Sequence, residues 1–166
     1  MIPHGSLDFI FIRAVMCYLP NKVPETLRKL LLLLKPQTGV LCVQDYNTDS
    51  RRIYPVAPEF DDYFKALQEA LHDETVDNLG AKLPNIVMTQ LSDVAELVEF
   101  LPNLVTGRIP DSPIADQYYE YLVTKAKKMI EPEVYRRVLK KWSEATMTKD
   151  HIIFSHMLCD CVIRRK

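Results

Sequence analysis

Two polar segments directly follow apolar runs of the sequence, and their side chains could do chemistry. Arg13 follows the first run and carries a permanent cation, while Asp45 and Tyr46 follow the second run and offer a carboxylate and a phenol. A carboxylate whose pKa suits the task can orient or deprotonate a substrate. An aspartate at such a position can equally cap a turn, and an arginine can simply be solvated. The residue types alone leave these alternatives open.

The helix that separates the two runs is marked at both ends. Pro24 is suited to a first helical turn, and Pro36 prevents the helix from continuing and disfavours helix in the residue before it. One apolar face is formed by leucines at helical spacing, namely Leu27, Leu30, Leu31 and Leu34. The spacing therefore predicts an amphipathic helix inside the segment 6–46.

The flanking runs predict two strands. Asp8–Ile12 is rich in aromatic and β-branched residues, and Val40–Val43 is an apolar run that ends near Asp45. Two apolar strands joined by a helical crossover indicate a parallel pair that is covered on both faces. Ligands of open parallel sheets bind outside the carboxyl ends of the strands. Arg13 and Asp45 are therefore expected at the same, ligand-binding end.

The rest of the chain is mainly helical in pattern. Apolar residues recur at helical spacing in four segments: Glu59–Leu71, Leu83–Gln90, Ile114–Met129 and Pro132–Ala145. Val94–Leu101 suits either a helix or a strand, and Ile152–Ile163 predicts a long terminal strand. The expected organisation of the whole, 1–166, is a strand–helix–strand core (1–47), a helical cap or lid region with one possible strand (48–150) and a terminal strand (151–166).

Composition excludes several classes of protein. The 166 residues, 48% of them apolar and 26% charged, are ordinary for one soluble globular domain. A net charge of −1 gives no basic footprint for nucleic acid. The longest apolar run, Leu30–Leu34, is too short to span a membrane, and no secretory signal is visible. We therefore expect a cytoplasmic protein.

Other kinds of chemistry lack the spacing they need. The cysteines are Cys17, Cys42, Cys159 and Cys161. We interpret them as small apolar residues, because the pair Cys159 and Cys161 has no second pair at zinc-ligand spacing. The histidines are spread along the chain: His4, His72, His151 and His156. No Gly-x-Ser-x-Gly elbow occurs. The sequence thus predicts neither a metal site nor a Ser-His-Asp arrangement, and a hydrogen-bonded core role for His156.

The segment 5–47 resembles the middle of a class I S-adenosylmethionine-dependent methyltransferase. That family reads Gly-Ser-Phe-Asp before an apolar strand, and its next helix ends Leu-Lys-Pro-Gly-Gly before an acidic-ended strand. The corresponding stretches here are GSLDFIFIRAVMCYLP and LRKLLLLLKPQTGVLCVQDYN. Gln37-Thr38-Gly39 replaces the family's Gly-Gly, and GAKLP (80–84) matches its Gly-x-x-Leu-Pro.

The resemblance implies an α/β fold with a partial, three-layered Rossmann-like methyltransferase sheet that lacks the first strands. It implies a terminal strand that is antiparallel and inserted between its neighbours, and it favours a strand at Val94–Leu101. The family's first strand, its Gly-rich loop and its ribose-binding acidic residue have no counterpart here. The glycines stand far apart: Gly5, Gly39, Gly80 and Gly107. We expect the C-terminal half of such a domain.

The resemblance also implies the cofactor and the site. S-adenosylmethionine is the expected cofactor, and a small-molecule or lipid-like compound is the expected methyl acceptor. The residues expected to bind the cofactor are Ile12, Arg13, Ala14 and Val15; those expected at the acceptor are Tyr18 and Tyr46, with Asp45 as the candidate catalytic carboxylate. The helices Glu59–Leu71 and Ile114–Met129 are expected to cover the acceptor.

Three hypotheses about function follow. The first is a methyltransferase chain that binds cofactor poorly by itself and needs an N-terminal partner segment, or that dimerises through the edge of its first strand. The second is a catalytically inactive methyltransferase-like interaction protein. The third is an unrelated α/β binding domain that matches by chance.

Overall fold

The computed structural model describes residues 2–19, 21–71 and 78–166. Contacts divide the chain into two compact units. The sheet unit comprises Met1–Thr48, Glu74–Asn103 and Met157–Lys166, and the helical unit comprises Asp49–Asp73 and Leu104–His156. Within the described ranges, no helix is both long enough and apolar enough to cross a membrane.

The described ranges contain strands, α-helices and short 3-10 turns. The strands are β1 (Phe9–Arg13), β2 (Val40–Asn47), β3 (Arg52–Tyr54), β4 (Ala95–Asn103), β5 (Thr106–Arg108), β6 (Ile152–Phe154) and β7 (Met157–Arg165). The α-helices are α1 (Val23–Leu33), α2 (Pro58–Leu71), α3 (Leu79–Gln90), α4 (Pro113–Thr124) and α5 (Pro132–Thr148). Short 3-10 turns occupy Met16–Tyr18, Thr48–Ser50 and Ala126–Lys128.

The sheet unit contains a four-stranded sheet in the order β1-β2-β7-β4. Strand β1 is parallel to β2, whereas β7 is antiparallel to both of its neighbours, β2 and β4. The terminal strand is therefore inserted between two earlier strands, and the ambiguous segment around Val94–Leu101 forms β4. Both expectations of the resemblance are confirmed.

Helix α1 forms as its leucine spacing predicts. Pro24 lies in its first turn, and the chain leaves the helix at Leu34, whose ψ of 152° is extended. That exit lies two residues before Pro36, which restricts the backbone that precedes it. Leu27, Leu31 and Leu34 are fully buried and pack in one cluster with the β2 side chains that point to the same face.

Helix α3 begins four residues before the predicted start, at Leu79, and ends at Gln90 as predicted. Pro84 lies inside the helix. Proline is typical of a first helical turn, so the sequence placed the start of the helix beside it. Leu83 and Val87 are buried in the same cluster as α1, so α1 and α3 cover one face of the sheet.

The expectation that β1 is covered on both faces is wrong. Phe9 is 57% exposed and Phe11 is 53% exposed, and their register partners on β2 are Val40 and Cys42. Ile10 packs against the buried cluster instead. The reason is that the buried side chains of α1 and α3 meet the other face of the sheet. Strand β1 also ends the sheet, since no strand of the described ranges pairs with its outer side.

The predicted terminal strand Ile152–Ile163 is two strands. Strand β6 pairs with β3 and β5 in a three-stranded sheet of the helical unit, and β7 belongs to the sheet unit. The break lies at Ser155, whose N–H donates to the carbonyl of Val105 (2.9 Å) and whose Oγ accepts from the N–H of Val105 (3.3 Å). These hydrogen bonds with Val105 take the place of continuous strand pairing from β6 into β7.

The helices of the helical unit pack around one apolar cluster. Helix α2 matches its prediction, and α5 begins at Pro132 as predicted and runs to Thr148. Helix α4 is shorter than the predicted Ile114–Met129, because regular helix ends at Thr124 and a 3-10 turn follows. The apolar stripe does not reveal this break, since Ala126 beyond it is fully buried.

Gly80 allows α3 to approach β2 closely, and we expect Gly80→Ala to destabilise the chain. A Cβ at Gly80 would lie 2.5 Å from the carbonyl oxygen of Asp45 and 3.0 Å from Cβ of Cys159. Overpacking against backbone costs about 1–3 kcal/mol, and the gain in helix propensity is about 0.5–1 kcal/mol. The steric cost exceeds the gain in helix propensity, so the urea concentration at the midpoint of unfolding should fall.

Lys82→Ala, on the exposed side of α3, is the matched control for Gly80→Ala and should change the midpoint little. A raised midpoint for Gly80→Ala would show that this contact relaxes freely.

Candidate functional site

The parallel pairing of β1 and β2 brings the predicted site residues to one end of the sheet. Arg13 is the register partner of Gln44, and the N–H of Ala14 donates to the carbonyl of Gln44 at 2.9 Å. Asp45 and Tyr46 follow at once along β2. The carboxyl ends of both strands therefore meet where the sequence predicts a ligand.

The turn after β1 presents a small exposed surface. Ala14 has a φ of 50°, which turns the chain sharply out of the strand. In the following turn Met16 and Cys17 point inward and are buried, while Val15 is 51% exposed and Tyr18 is 62% exposed. Val15 and Tyr18 are therefore available to a ligand.

Asp45 is fully buried and holds this turn in place. Its Oδ2 accepts a hydrogen bond from the backbone N–H of Cys17 (3.1 Å), and its Oδ1 accepts one from the N–H of Tyr46 (2.9 Å). Burial raises the pKa of Asp45 above its ordinary value, although these N–H donors oppose the shift. Of the two alternatives that the sequence leaves open, this geometry favours capping over proton transfer.

Tyr46 lies on the other face of β2, toward Arg13. Burial raises the pKa of the half-buried Tyr46 phenol, and the nearby cation of Arg13 partly opposes this shift. Asp45, Cys17 and Tyr18 act in the same direction as burial. The phenol therefore stays protonated near neutral pH and can donate or accept a hydrogen bond, but it is no strong base.

Comparison with known proteins identifies the fold of the chain. No protein-family model matches the chain, and no curated protein matches its sequence. A protein of Bacillus halodurans C-125 assigned as a methyltransferase superposes over 99% of this chain, with 13% identity and a TM-score of 0.53. A protein of Anaeromyxobacter dehalogenans assigned as a type II methyltransferase superposes over 98%, with 16% identity and a TM-score of 0.52. The chain has the fold of class I methyltransferases.

The chain spans part of the length of these structures. It covers 71% of the Bacillus protein and 66% of the Anaeromyxobacter protein. A protein of Galdieria sulphuraria assigned as a sarcosine dimethylglycine methyltransferase also matches, with 17% identity over 99% of this chain and a TM-score of 0.47. This chain covers 54% of that structure, and 62% and 52% of two others.

Within this methyltransferase fold, two residues that are not among the predicted site residues support the site. Cys17 donates its backbone N–H to Asp45 over 28 sequence positions, and Gly80 lets α3 contact the backbone of Asp45. Asn78, just before α3, also accepts hydrogen bonds from Thr48 at the end of β2. Contacts over such sequence distances leave no local pattern, so only the Gly-x-x-Leu-Pro match pointed toward this region.

The cysteines and His156 take structural positions in the described chain. All four thiols are free, and burial raises the pKa of Cys17 and of Cys161 to about 12, so both remain thiols. His156 lies in the break between β6 and β7, where its Nδ1 is 3.1 Å from the hydroxyl of Tyr118. Burial lowers the pKa of His156 to about 4. Among the described residues, no three His, Cys, Asp or Glu side chains are grouped to hold a metal ion.

Proposed function

We propose that this chain is part of an S-adenosylmethionine-dependent methyltransferase that acts on a small-molecule or lipid-like acceptor. The observation that carries the proposal is the meeting of Arg13, Ala14 and Val15 with Tyr46 at the carboxyl end of a parallel strand pair in this fold. Parallel α/β sheets bind their ligands at that position. The likeness in fold alone would leave the activity open.

The residues at this end suit the methionine portion of the cofactor. Arg13 is exposed, and its guanidinium can form a charge-assisted pair with a carboxylate such as that of methionine. Ala14 and Val15 offer backbone and a small apolar surface, and Ile12 supports them from the half-buried side of β1. When bound, S-adenosylmethionine supplies an activated methyl group on its sulfonium sulfur.

The acceptor side of the proposal rests on two phenols. Tyr18 is exposed beyond the turn and Tyr46 borders the end of β2, so both can contact a molecule held beside the cofactor. Positioning two reactants together is itself a large catalytic effect. Asp45 serves here as a positioning residue, because its two oxygens hold the backbone of the turn.

We further propose that the nucleoside side of the cofactor is held by a partner segment that adds a strand to the free edge of β1. A strand placed parallel to β1 would bring its own C-terminal loop next to Arg13. The glycines of this sequence stand singly, whereas a nucleoside-binding loop needs them clustered. The exposed Phe9 and Phe11 at this edge support the same proposal. They equally favour the second candidate, a methyltransferase-like interaction protein without activity.

Photo-crosslinking tests whether the site binds the cofactor. Under ultraviolet light, methyl-labelled S-adenosylmethionine should label the peptide that contains Arg13 to Tyr18, and excess S-adenosylhomocysteine should prevent the labelling. Arg13→Ala should reduce the label, whereas Arg52→Ala, in the helical unit, should not. Labelling that S-adenosylhomocysteine does not suppress would reject the methyltransferase proposal and leave the interaction protein.

Calorimetry tests the need for a partner segment. We expect the 166-residue chain alone to bind S-adenosylmethionine more weakly than the micromolar range, because half of the cofactor contacts are proposed to come from elsewhere. A micromolar or tighter dissociation constant would show that these residues suffice. That result would remove the partner segment from the proposal without affecting the site.

A further inference from the structure

The helical unit contains a pocket of about 510 Å³ between α4 and α5. This volume is in the range of small-molecule sites, about 300–1,000 Å³. The lining residues that characterise the pocket are Asp116, Tyr119, Leu139, Trp142, Ser143 and Thr146. All of them lie in one compact unit, so the pocket does not depend on the site at the end of β1.

Two aromatic rings form a fixed wall of the pocket. The rings of Tyr119 and Trp142 have centroids 5.8 Å apart and are inclined by 33°. Trp142 is 5% exposed, and Phe60 packs edge-to-face against it at 6.1 Å, which fixes the indole from behind. Tyr119 is 43% exposed, so its ring remains accessible. Accessible aromatic faces attract cations because the face of the ring carries partial negative charge.

The polar groups of the pocket also favour a cation. Among the described residues that line the pocket, Asp116 is the one carboxylate, and it brings a negative charge; the phenol of Tyr119 is the other ionisable group. Ser143 and Thr146 add hydroxyl oxygens. The hydroxyl of Thr146 donates to the carbonyl of Trp142 at 2.9 Å, which leaves its lone pairs as acceptors. No cationic side chain lines the pocket in the described structure.

We propose that this pocket binds a small organic cation whose ammonium group carries apolar substituents. The aromatic wall and Leu139 suit the substituents, and Asp116 suits the charge. The proposal goes beyond methyl transfer and stands without it, because it uses the helical unit alone and requires no cofactor.

The single tryptophan of the sequence makes the test direct, since Trp142 lies in the pocket. Its fluorescence is followed during titration with choline and, separately, with 3,3-dimethylbutan-1-ol, which has the same shape but no charge. We expect a saturable change with choline and an affinity for the neutral alcohol that is weaker by about tenfold or more. Equal affinities would overturn the proposal, because the pocket would then recognise shape and apolar surface only.

Variants on neighbouring positions of α4 locate the site. Asp116→Asn should weaken choline binding by about tenfold and reduce the preference over the alcohol, leaving the part that the aromatic ring contributes. Glu120→Gln removes a charge from the same helix outside the pocket and should leave the affinity unchanged. Tyr119→Leu should weaken choline more than the alcohol. Circular dichroism confirms that each variant is folded, and equal losses for Asp116→Asn and Glu120→Gln would overturn the proposal in favour of a general surface-charge effect.

Discussion

Purified by itself, the chain is expected to self-associate through β1 at micromolar concentration, and Phe11→Pro is expected to return it to a monomer. The side chains of Phe9 and Phe11 are both more than half exposed beside this edge. Sheet edges with bare N–H and C=O groups recruit other strands, and natural proteins usually protect them with charge, proline or a bulge. The segment Phe9–Ile12 carries none of these.

The hydrogen bonds of β1 show which backbone groups face outward. The carbonyl of Asp8 accepts from the N–H of Val40, and the N–H of Ala14 donates to the carbonyl of Gln44, both at 2.9 Å. Because successive residues of a strand point their backbone groups to opposite sides, the outward groups are those of the residues between: Phe9, Phe11 and Arg13. An antiparallel copy centred on Phe11 would pair all of them. In that register Phe9 of one copy lies opposite Arg13 of the other, which is a favourable cation–π arrangement.

Proline at position 11 acts on this edge alone. The N–H of Phe11 points away from β2, so proline removes an outward donor without breaking a hydrogen bond between β1 and β2. Edge strands tolerate proline at such positions. Phe11→Ala is the matched control, because it removes the same ring and keeps the N–H. We expect the alanine variant to associate more weakly than the natural chain, and the proline variant to be monomeric.

Size-exclusion chromatography with light scattering, over a series of micromolar concentrations, measures this directly. Association of the proline variant equal to that of the alanine variant would place the contact elsewhere on the surface. A natural chain that is monomeric and unfolds cooperatively would show that the edge of β1 is already covered. The proposal of a partner strand at this edge would then be wrong.

The sequence predicted the elements whose signals are local. Helix α1 could be placed because leucine spacing, Pro24 and Pro36 agree on one answer, and agreement between levels is what makes a segment predictable. The position of β7 in the sheet, by contrast, has no local signal. The apolar pattern of β7 indicated a strand, but only the family resemblance indicated that this strand lies between two earlier strands, here β2 and β4.

Elements and contacts without a local signal could not be predicted. Strands β3 and β5 are three residues long each, too short to show alternation. Strand β6 fell inside the predicted terminal strand, but its separation from β7 has no local signal. The carboxylate of Asp45 could have faced solvent or core, because a strand end permits both. Its inward orientation depends on Cys17, 28 positions away, and on the close approach of Gly80. The sequence therefore located the end of the sheet correctly but could not assign the role of its aspartate.

Asp45→Asn is expected to lower the free energy of unfolding by about 1–3 kcal/mol, the cost of leaving a buried polar group unpaired. Both carboxylate oxygens accept N–H groups, from Cys17 and from Tyr46. An asparagine has one oxygen and one NH₂ group, so one backbone donor must face another donor. Asp160→Asn is the matched control. Asp160 is half-buried and accepts hydrogen bonds from the side-chain amides of Gln44 and Asn103. Water can replace these partners, so the control should lower the free energy of unfolding less.

The pH dependence separates the capping role of Asp45 from a catalytic one. Since burial raises its pKa in the folded chain, the folded state binds more protons than the unfolded state between the ordinary aspartate pKa, about 3.9, and the raised value. The stability contributed by Asp45 is thus full below that window and falls as pH rises through it. Asp45→Asn should abolish this decline, so its destabilisation should be larger at acid pH than at neutral pH. Urea unfolding at a series of pH values measures both effects. If Asp45→Asn leaves stability and its pH dependence unchanged but eliminates methyl transfer measured with the proposed partner segment added, the carboxylate acts in the reaction and the capping role is wrong.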